Sequence, residues 1–568
     1  MAEYSFPVRL NRHAVRAAAA LSAAFLCSLC LCGTAFCSAS EDISEDALSK
    51  NTLHMEDQRC RTTYEVFVYS FCDSDADGIG DLNGVRSKLD YIQGLGFDQI
   101  WLMPVCPSPT YHKYDVTDYM SIDPAYGTLE DFEALIRDCH ERGIRVITDL
   151  VLNHTSSQHP WFLEAAEYLK SLPDGAPADT GACPKLDYYH FTQTPESGYT
   201  QLPDTSWYYE ARFWEGMPDL NLDSEAVRDE IRAILSFWLG EGVDGFRLDA
   251  VTSYYTGNDD QNIRFLSWLK KAADESAAAL PDADGSFSPY IVCEAWMDQS
   301  LYAAYYASGV DSMFDFAYAG AEGLLARTVK GKVPAQQFTD SLKEEQELFV
   351  SFSDSYVNAP FYTNHDLDRS AGYYAYDDGS RTKFALGLNL MISGNAFLYY
   401  GDEIGMKGSG KDENKRAPMM WVPEDTENPS ATGMCTGPEG MDSIKQKFPS
   451  VAEQEKDPLS VLNYTKQAIA VRNKNHVIRD GIVIPIPDLE SDTVGAYRKV
   501  PSSGRSDTDQ ESIEILFNAS EETQTVDLSS RKDSFLTLAD CLRVSADPVL
   551  LEEGQLTLPP FAVAILKR

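Results

Sequence analysis

The sequence predicts an α/β protein: a parallel (β/α)8 TIM barrel, with a small domain inserted after strand 3 and a C-terminal all-β sandwich domain. Three observations predict this architecture. Eight short apolar runs alternate with amphipathic helical segments, the rhythm of a parallel barrel. The stretch from Asn153 to Arg212 is rich in Pro, Gly and Tyr and is too long for an ordinary loop. From about Asp480 onward, short β runs separated by turns replace that rhythm.

The length supports several domains, since 568 residues is about twice the size at which a single hydrophobic core stops growing. We assign residues 59–154 and 213–479 to the barrel, 155–212 to the inserted domain and 480–568 to the sandwich. The predicted barrel strands are Tyr64–Tyr69, Gln99–Met103, Arg145–Leu152, Gly245–Val251, Tyr290–Trp296, Met313–Tyr318, Phe361–Asn364 and Ala396–Tyr400. Predicted barrel helices include Leu129–Arg142 and Ser224–Glu241. The predicted sandwich strands are Ile482–Ile486, Val494–Arg498, Ser512–Phe517, Thr525–Leu528, Gln555–Leu558 and Ala562–Leu566.

The N-terminal segment has the pattern of an export signal. Three arginines precede an uncharged run of apolar and small residues that extends to Ser40. This pattern predicts a signal peptide over residues 1–39 and export to the extracellular space or a periplasm. An uncleaved membrane anchor and a lipoprotein signal, with the lipid on Cys30, Cys32 or Cys37, remain as alternatives. Residues 40–58 are acidic and polar, which predicts a solvated tether.

The overall charge argues against nucleic acid as a partner. Lys and Arg number 47 and Asp and Glu 88, so the net charge is −41. A surface this negative repels phosphate backbones but does not hinder a neutral, hydroxyl-rich ligand such as a sugar. The eight cysteines after the N-terminal segment form no CxxC pair, and we interpret them as buried thiols. We expect a monomer whose only membrane contact would be through an N-terminal anchor.

Carboxylates recur at the C-terminal ends of several predicted strands. The ends of parallel barrel strands are where barrel enzymes assemble their sites. One such residue alone is more often a cap at a strand–loop junction. Four of them, each at the C-terminal end of a predicted barrel strand, indicate a catalytic site: Asp149, Asp249, Glu294 and Asp366.

Nine motifs carry a resemblance to a known family. They are Asp149–His154, Gly245–Val251, Cys293–Trp296, Thr363–Asp366, Tyr114–Tyr119, Met217–Asn221, Gly401–Met406, Arg416–Trp421 and Leu558–Phe561. They resemble the sequence regions of the α-amylase clan, glycoside hydrolase family 13, and the first four also follow one another in the order of that clan. The resemblance extends from about Tyr64 to Arg568.

The resemblance implies roles for three of these carboxylates. A retaining glycosidase needs two carboxyl groups about 5–5.5 Å apart, one a nucleophile and the other an acid and base. By resemblance, Asp249 is the nucleophile and Glu294 the acid/base, whose task requires a raised pKa. Asp366 would bind the 2- and 3-hydroxyls of the sugar.

Four further residues are implied to bind substrate or the nucleophile. Arg247, two residues before Asp249, lies on the same strand face and would hold that carboxylate by charge and hydrogen bonding. By resemblance, His154 and His365 would donate hydrogen bonds to the sugar, and Tyr114 would stack on its apolar face.

A second candidate site lies in the segment Asp73–Asp81. Its carboxylates alternate and a glycine provides the turn, as in an EF-hand loop, although Gly84 stands where an EF-hand has its bidentate Glu. A solvated Asp/Gly turn is the alternative. The oligo-1,6-glucosidase branch of the family carries a similar calcium loop, so the resemblance implies a structural Ca²⁺. The predicted ligands are Asp73, Asp75, Asp77, Asp81 and the Ile79 carbonyl.

Local details suggest which member of the family this is. The segment Met217–Asn221 resembles the group intermediate between oligo-1,6-glucosidases and neopullulanases, and Ala250 resembles enzymes that act on α-1,4 bonds. Tyr111 stands where exo-acting glucosidases place an aspartate that walls off the cleft. We therefore expect a retaining endo-acting α-amylase whose substrates are starch-like α-glucans and maltooligosaccharides. An exo-acting α-glucosidase or a 4-α-glucanotransferase on short maltooligosaccharides is the alternative.

Overall fold

The computed structural model describes residues 59–281, 287–423, 426–427, 432–501, 512–529, 531 and 537–567. The predicted signal peptide and acidic tether lie outside the described residues. Within the described part of the chain, no helix is long and apolar enough to cross a membrane.

Eight parallel strands form a barrel, as the sequence predicts. In chain order they are Thr62–Val66, Gln99–Leu102, Arg145–Leu150, Gly245–Leu248, Tyr290–Cys293, Ser312–Asp315, Val357–Pro360 and Ala396–Tyr399. Neighbours along the chain pair with one another, and the first strand also pairs with the eighth. A parallel bridge between Phe361 and Phe397 closes the ring between the seventh strand and the eighth. Large aromatic side chains fill the interior, for example Trp101, whose ring centroid is 5.4 Å from that of Phe314.

The seventh strand was predicted wrongly, at Phe361–Asn364. It lies at Val357–Pro360, where an asparagine and a proline interrupt the apolar pattern. The buried Asn358 amide is accommodated because it donates hydrogen bonds to the carboxylates of Asp315 and Glu345. A polar residue paired within the core therefore hid the strand from its hydrophobic pattern.

Helices surround the barrel, and several of them begin at side-chain caps. Thr128 and Asp131 form a capping box at the start of the helix Leu129–Glu141, and Ser224 caps the helix Glu225–Gly240. The other α-helices between the first barrel strand and the terminal domain are Val68–Phe71, Leu82–Ser87, Leu89–Leu95, Pro160–Ser171, Asp259–Ala278, Gln299–Tyr302, Leu324–Val329, Ala335–Val350, Ser380–Leu390, Asp412–Lys415, Val451–Gln454, Val461–Lys474 and Val477–Asp480.

The segment after the third strand has more regular structure than its composition suggests. It contains the helix Pro160–Ser171, whose buried residues Phe162, Ala165, Ala166 and Leu169 have helical spacing. It also contains a small antiparallel sheet with the strand order Phe191–Thr192, Tyr208–Glu210, Tyr199–Gln201. No helix was predicted in this segment, because the apolar stripe of Pro160–Ser171 is short.

The C-terminal region forms two antiparallel sheets. The first has five strands in the order Ile482–Pro485, Val494–Val500, Ile513–Asn518, Val563–Lys567, Thr537–Leu542. The second has three, Gln524–Asp527, Gln555–Leu558 and Leu550–Glu552. Residues of both sheets, such as Leu516 and Leu556, share one buried cluster, which makes a sandwich. The strands Thr537–Leu542 and Leu550–Glu552 were not predicted.

A buried arginine joins the end of one barrel helix to the next strand. Arg472 is fully buried, and its guanidinium donates to the carbonyl oxygens of Leu390, Ile392 and Gly394 at 2.7, 2.6 and 2.6 Å. Burial lowers the pKa of Arg472 to about 9. Its hydrogen bonds satisfy carbonyls that follow the helix Ser380–Leu390 and would otherwise be buried without donors.

We expect Arg472→Met to lower the free energy of unfolding by about 3 kcal/mol, because buried carbonyls lose their donor. Thermal unfolding followed by circular dichroism measures this. The control is Arg137→Met, since Arg137 is exposed and its nitrogen is 3.8 Å from Asp138. Equal stability of the two variants would show that Arg472 does not satisfy these carbonyls.

Candidate active site

Charged side chains from several barrel strands converge at one end of the barrel. In the parallel register, Asp149 of the third strand pairs with Arg247 of the fourth. Asp249 directly follows the fourth strand, and Glu294 directly follows the fifth. Residues far apart in the chain therefore meet because parallel strands end at one rim.

The guanidinium of Arg247 lies at the centre of this site. Arg247 is fully buried, and its Nη1 lies 2.9 Å from Asp149 Oδ1 and 2.7 Å from Asp249 Oδ1. Its Nη2 donates to Glu294 Oε2. One cation thus bridges three carboxylates, which compensates part of the cost of burying them.

A second group connects the site to the seventh strand. The hydroxyl of Tyr114 lies 3.1 Å from Asp149 Oδ2 and 2.8 Å from His365 Nε2. The Tyr114 ring stacks on the His365 ring, with centroids 5.5 Å apart. His365 Nε2 also lies 3.1 Å from Asp366 Oδ2. The second oxygen of Asp366 accepts from Arg416 Nη2 at 2.9 Å.

The surroundings change the pKa of each of several groups. Burial raises the pKa of Glu294 to about 8; Arg247 opposes this shift and the charge of Asp249 adds to it. Burial also raises the pKa of Asp149 to about 6, against the opposing charge of Arg247. For Asp366, burial is outweighed by the charges of His365 and Arg416, which hold its pKa well below the usual range. The site therefore holds a protonated Glu294 and an ionised Asp366 at neutral pH.

The backbone after Asp249 turns sharply. Ala250 has a φ of 44°, a left-handed conformation that few non-glycine residues adopt. Beyond it, the amide of Val251 donates to the Glu294 carbonyl at 3.0 Å, and the Glu294 amide donates to the Leu248 carbonyl at 2.9 Å. These bonds fix Asp249 and Glu294 relative to each other.

Both ring nitrogens of His154 lie within hydrogen-bond distance of protein groups. Its Nε2 donates to the Tyr114 carbonyl at 3.2 Å, and its Nδ1 lies 3.3 Å from Asn153 Nδ2. Burial lowers its pKa, which favours the neutral ring. Both ring nitrogens have protein partners, so the predicted contact with substrate stays a prediction.

The structure brings Tyr114, Arg247, Asp249, Glu294, His365 and Asp366 together. It also adds three residues to which the sequence analysis gave no role: Glu65, Asp149 and Arg416. Asp149 stood among the strand-end carboxylates, and Arg416 stood in a recognised motif. Glu65 lies within the predicted strand Tyr64–Tyr69, whose other residues are apolar or aromatic, and a charge in such a run was the signal that could have found it.

The predicted calcium ligands form a partial cluster. One carboxylate oxygen from each of Asp73, Asp75 and Asp81 lies within 4.8 Å of the others. Asp77 lies outside this cluster, and its Oδ1 accepts from the Ile79 amide at 2.7 Å. Three oxygen ligands on a loop with a tight glycine turn fit the donor chemistry of Ca²⁺.

Comparison with known proteins agrees with this geometry. The sequence model of the family described as alpha amylase, catalytic domain, matches residues 65–481. The chain belongs to the α-amylase family, glycoside hydrolase family 13.

Relatives within the α-amylase family cover most of the chain. Alpha-amylase 3 of Dictyoglomus thermophilum is 39% identical over 426 residues, which is 74% of this chain and 78% of that protein. Trehalose synthase/amylase TreS of Mycobacterium tuberculosis is 31% identical over 461 residues, 72% of this chain and 74% of that protein. The solved structure of Eubacterium rectale Amy13B is 45% identical with a TM-score of 0.83, and the match covers 90% of this chain and 96% of that one.

Proposed function

We propose that this family 13 glycoside hydrolase is a retaining endo-acting α-amylase that cleaves α-1,4-glucosidic bonds of starch-like glucans and maltooligosaccharides. The observation that carries the proposal is the shared guanidinium of Arg247, which holds Asp249 and Glu294 together. The similarity to Alpha-amylase 3 supports the choice of substrate.

The proposed reaction uses the two carboxyl groups in turn. Asp249 attacks the anomeric carbon while Glu294 gives its proton to the leaving oxygen, so the glycosidic bond breaks and a β-glycosyl ester forms. Glu294 then removes a proton from water, which attacks the ester and releases the sugar with retained configuration. Asp366 binds ring hydroxyls as an ionised acceptor, held in place by Arg416.

The surroundings of Tyr111 support an endo-acting cleft. At this position the chain has a tyrosine, whose hydroxyl lies 3.3 Å from Arg416 Nη1, where exo-acting relatives have a carboxylate. The neighbouring Lys113 is buried in an ion pair with Asp123 at 2.6 Å, so its amine does not close the cleft. Two residues after Glu294, Trp296 is 57% exposed and is available to stack on sugar rings.

Product analysis tests the substrate and the mode of attack. With starch and maltoheptaose, we expect rapid loss of iodine colour and mixed short maltooligosaccharides. Glucose as the main early product would establish an exo-glucosidase instead. Products longer than maltoheptaose would establish a transferase, and trehalose among the products would establish the trehalose synthase activity in the name of TreS.

We expect Asp249→Asn to lower kcat by at least about 10⁴-fold, because the amide cannot form the glycosyl ester. The melting temperature should change by only a few degrees. Hydrolysis of maltoheptaose and a thermal melt measure the two quantities. The matched control is Asp259→Asn, since Asp259 lies in a helix and accepts from Tyr305. An Asp249→Asn variant with most of its activity would overturn the nucleophile assignment.

Activity should fall as the pH rises through about 8, because Glu294 must carry a proton and burial raises its pKa to that value. Below about 8 the acid is protonated, so this loss is absent there. The measurement is kcat/KM against pH on maltoheptaose and on a maltosyl fluoride. The fluoride needs less protonation to leave, so its alkaline decline should be weaker. Identical declines on both substrates would exclude Glu294 as the acid.

We also propose that Asp73, Asp75 and Asp81 hold a structural Ca²⁺, with Asp77 and the Ile79 carbonyl as the remaining ligands inferred from sequence. The support is the cluster of three carboxylates. A second segment holds the same loop: the Asp73 amide donates to the Gly433 carbonyl at 3.1 Å, and the Thr436 amide donates to the Gly78 carbonyl at 2.8 Å. A bound cation would screen the mutual repulsion of the carboxylates and fasten these two segments.

Chelation of Ca²⁺ should lower the melting temperature by about 5 °C, the effect of a ligand present at about 100 times its Kd. Differential scanning calorimetry with and without chelator measures it, and elemental analysis counts the metal. Asp75→Asn should remove the response, whereas the exposed Asp179→Asn should keep it. Unchanged melting together with no bound metal would exclude the site.

A further inference from the structure

Glu65 is a buried carboxylate for which the proposed reaction has no use. It lies in the first barrel strand, is 1% exposed, and places Oε1 2.6 Å from Nδ1 of His365. The two residues are 300 positions apart in the chain. Burying a carboxylate is costly, so its partner indicates what the carboxylate is for.

The hydrogen bonds around His365 determine where its protons are. Nε2 lies 3.1 Å from Oδ2 of the ionised Asp366, which can only accept a hydrogen bond. Nε2 therefore carries a proton, and the Tyr114 oxygen lies 2.8 Å from the same nitrogen. On the other side of the ring, Nδ1 faces Glu65, which is also an acceptor. Both nitrogens thus carry a proton, and the ring is an imidazolium.

We propose that Glu65 is a positioning residue that keeps His365 in the imidazolium form, with its Nε2–H directed at Asp366 and at the sugar hydroxyl that Asp366 binds. The contact with the sugar rests on the proposed function. The protonation of the ring does not, because it depends only on groups of this chain. Glu65 acts through His365 rather than on the substrate.

The charges that face His365 support this state. Burial lowers the pKa of the imidazole, but Asp366 and Glu65 outweigh that effect and raise it to about 9. Burial also raises the pKa of Glu65 itself, and the hydrogen bond and charge of His365 lower it. The titratable and charged groups around the ring are Glu65, Tyr114, Asp149, Arg247, Glu294 and Asp366. Of these carboxylates, Glu65 and Asp366 contact the ring directly.

The test is the titration of His365 in the free enzyme, by NMR of protein labelled at histidine 13Cε1. The resonance is assigned by its loss in His365→Gln. In the wild type we expect an imidazolium shift at pH 7 and a titration near 9. In Glu65→Gln the amide oxygen still accepts from Nδ1 but carries no charge. The pKa of His365 in this variant should therefore be lower than in the wild type by about one unit or more.

The pH profile of activity separates this role from a structural one. In Glu65→Gln we expect the loss of kcat/KM to be larger at pH 8 than at pH 6, about twofold for a shift of one pH unit and about tenfold for a shift of two, because the Nε2 proton is lost earlier. Damage to packing alone would lower kcat/KM equally at both pH values. Glu65→Asp retains the charge and should restore most of the wild-type profile.

The matched control is Glu403→Gln. Glu403 is another fully buried glutamate of the barrel, and it accepts from the hydroxyls of Tyr64 and Tyr91 at 2.6 and 2.9 Å. Its replacement should lower the melting temperature without moving the titration of His365. An unshifted titration in Glu65→Gln overturns the proposal. A neutral His365 in the wild type at pH 7 also overturns it, and this measurement does not depend on the folding of any variant. Neither measurement depends on the substrate, so a different product pattern would refute only the proposed function.

Discussion

One buried cation determines the chemistry of this site. The guanidinium of Arg247 is the shared partner of Asp149, Asp249 and Glu294, and all three are buried at the rim of the barrel. A single positive charge cannot balance three ionised carboxylates there. The repulsion between the carboxylates that Arg247 leaves uncompensated acts together with burial, and both favour a proton on one of the three carboxyl groups. That group is Glu294, whose pKa rises to about 8. A protonated carboxyl beside Asp249, which the proposed reaction requires, thus follows from charge balance.

A second group of charged side chains lies on the other side of the site. His365 stands between Glu65 and Asp366, and Arg416 contacts Asp366 from the other side. Here cations and carboxylates are equal in number, so Asp366 stays ionised and can accept hydrogen bonds from a sugar. The Tyr114 hydroxyl joins the two networks because it contacts both Asp149 and His365. The two carboxyl groups of the proposed reaction and the residues proposed to bind the sugar are therefore electrostatically coupled.

Much of the fold could be predicted from the sequence because most barrel strands are buried on both faces. Such strands are continuous apolar runs, and seven of the eight predictions overlap the observed strands. The seventh was missed because Asn358 is satisfied by Asp315 and Glu345, partners that are distant in sequence. The helix Pro160–Ser171 was missed because its apolar stripe spans only three turns. In each case, the local pattern was weaker than the tertiary contact that fixed the structure.

The sequence by itself determined the family, the barrel and the identity of the residues at the strand ends, because these are encoded in short local motifs. Only the tertiary structure decided which charges touch. Glu65 and His365 are 300 positions apart, and Arg416 is 50 positions from Asp366. The protonation of each group depends on burial and on neighbours within a few ångströms, and parallel strands bring those neighbours together from the whole length of the barrel.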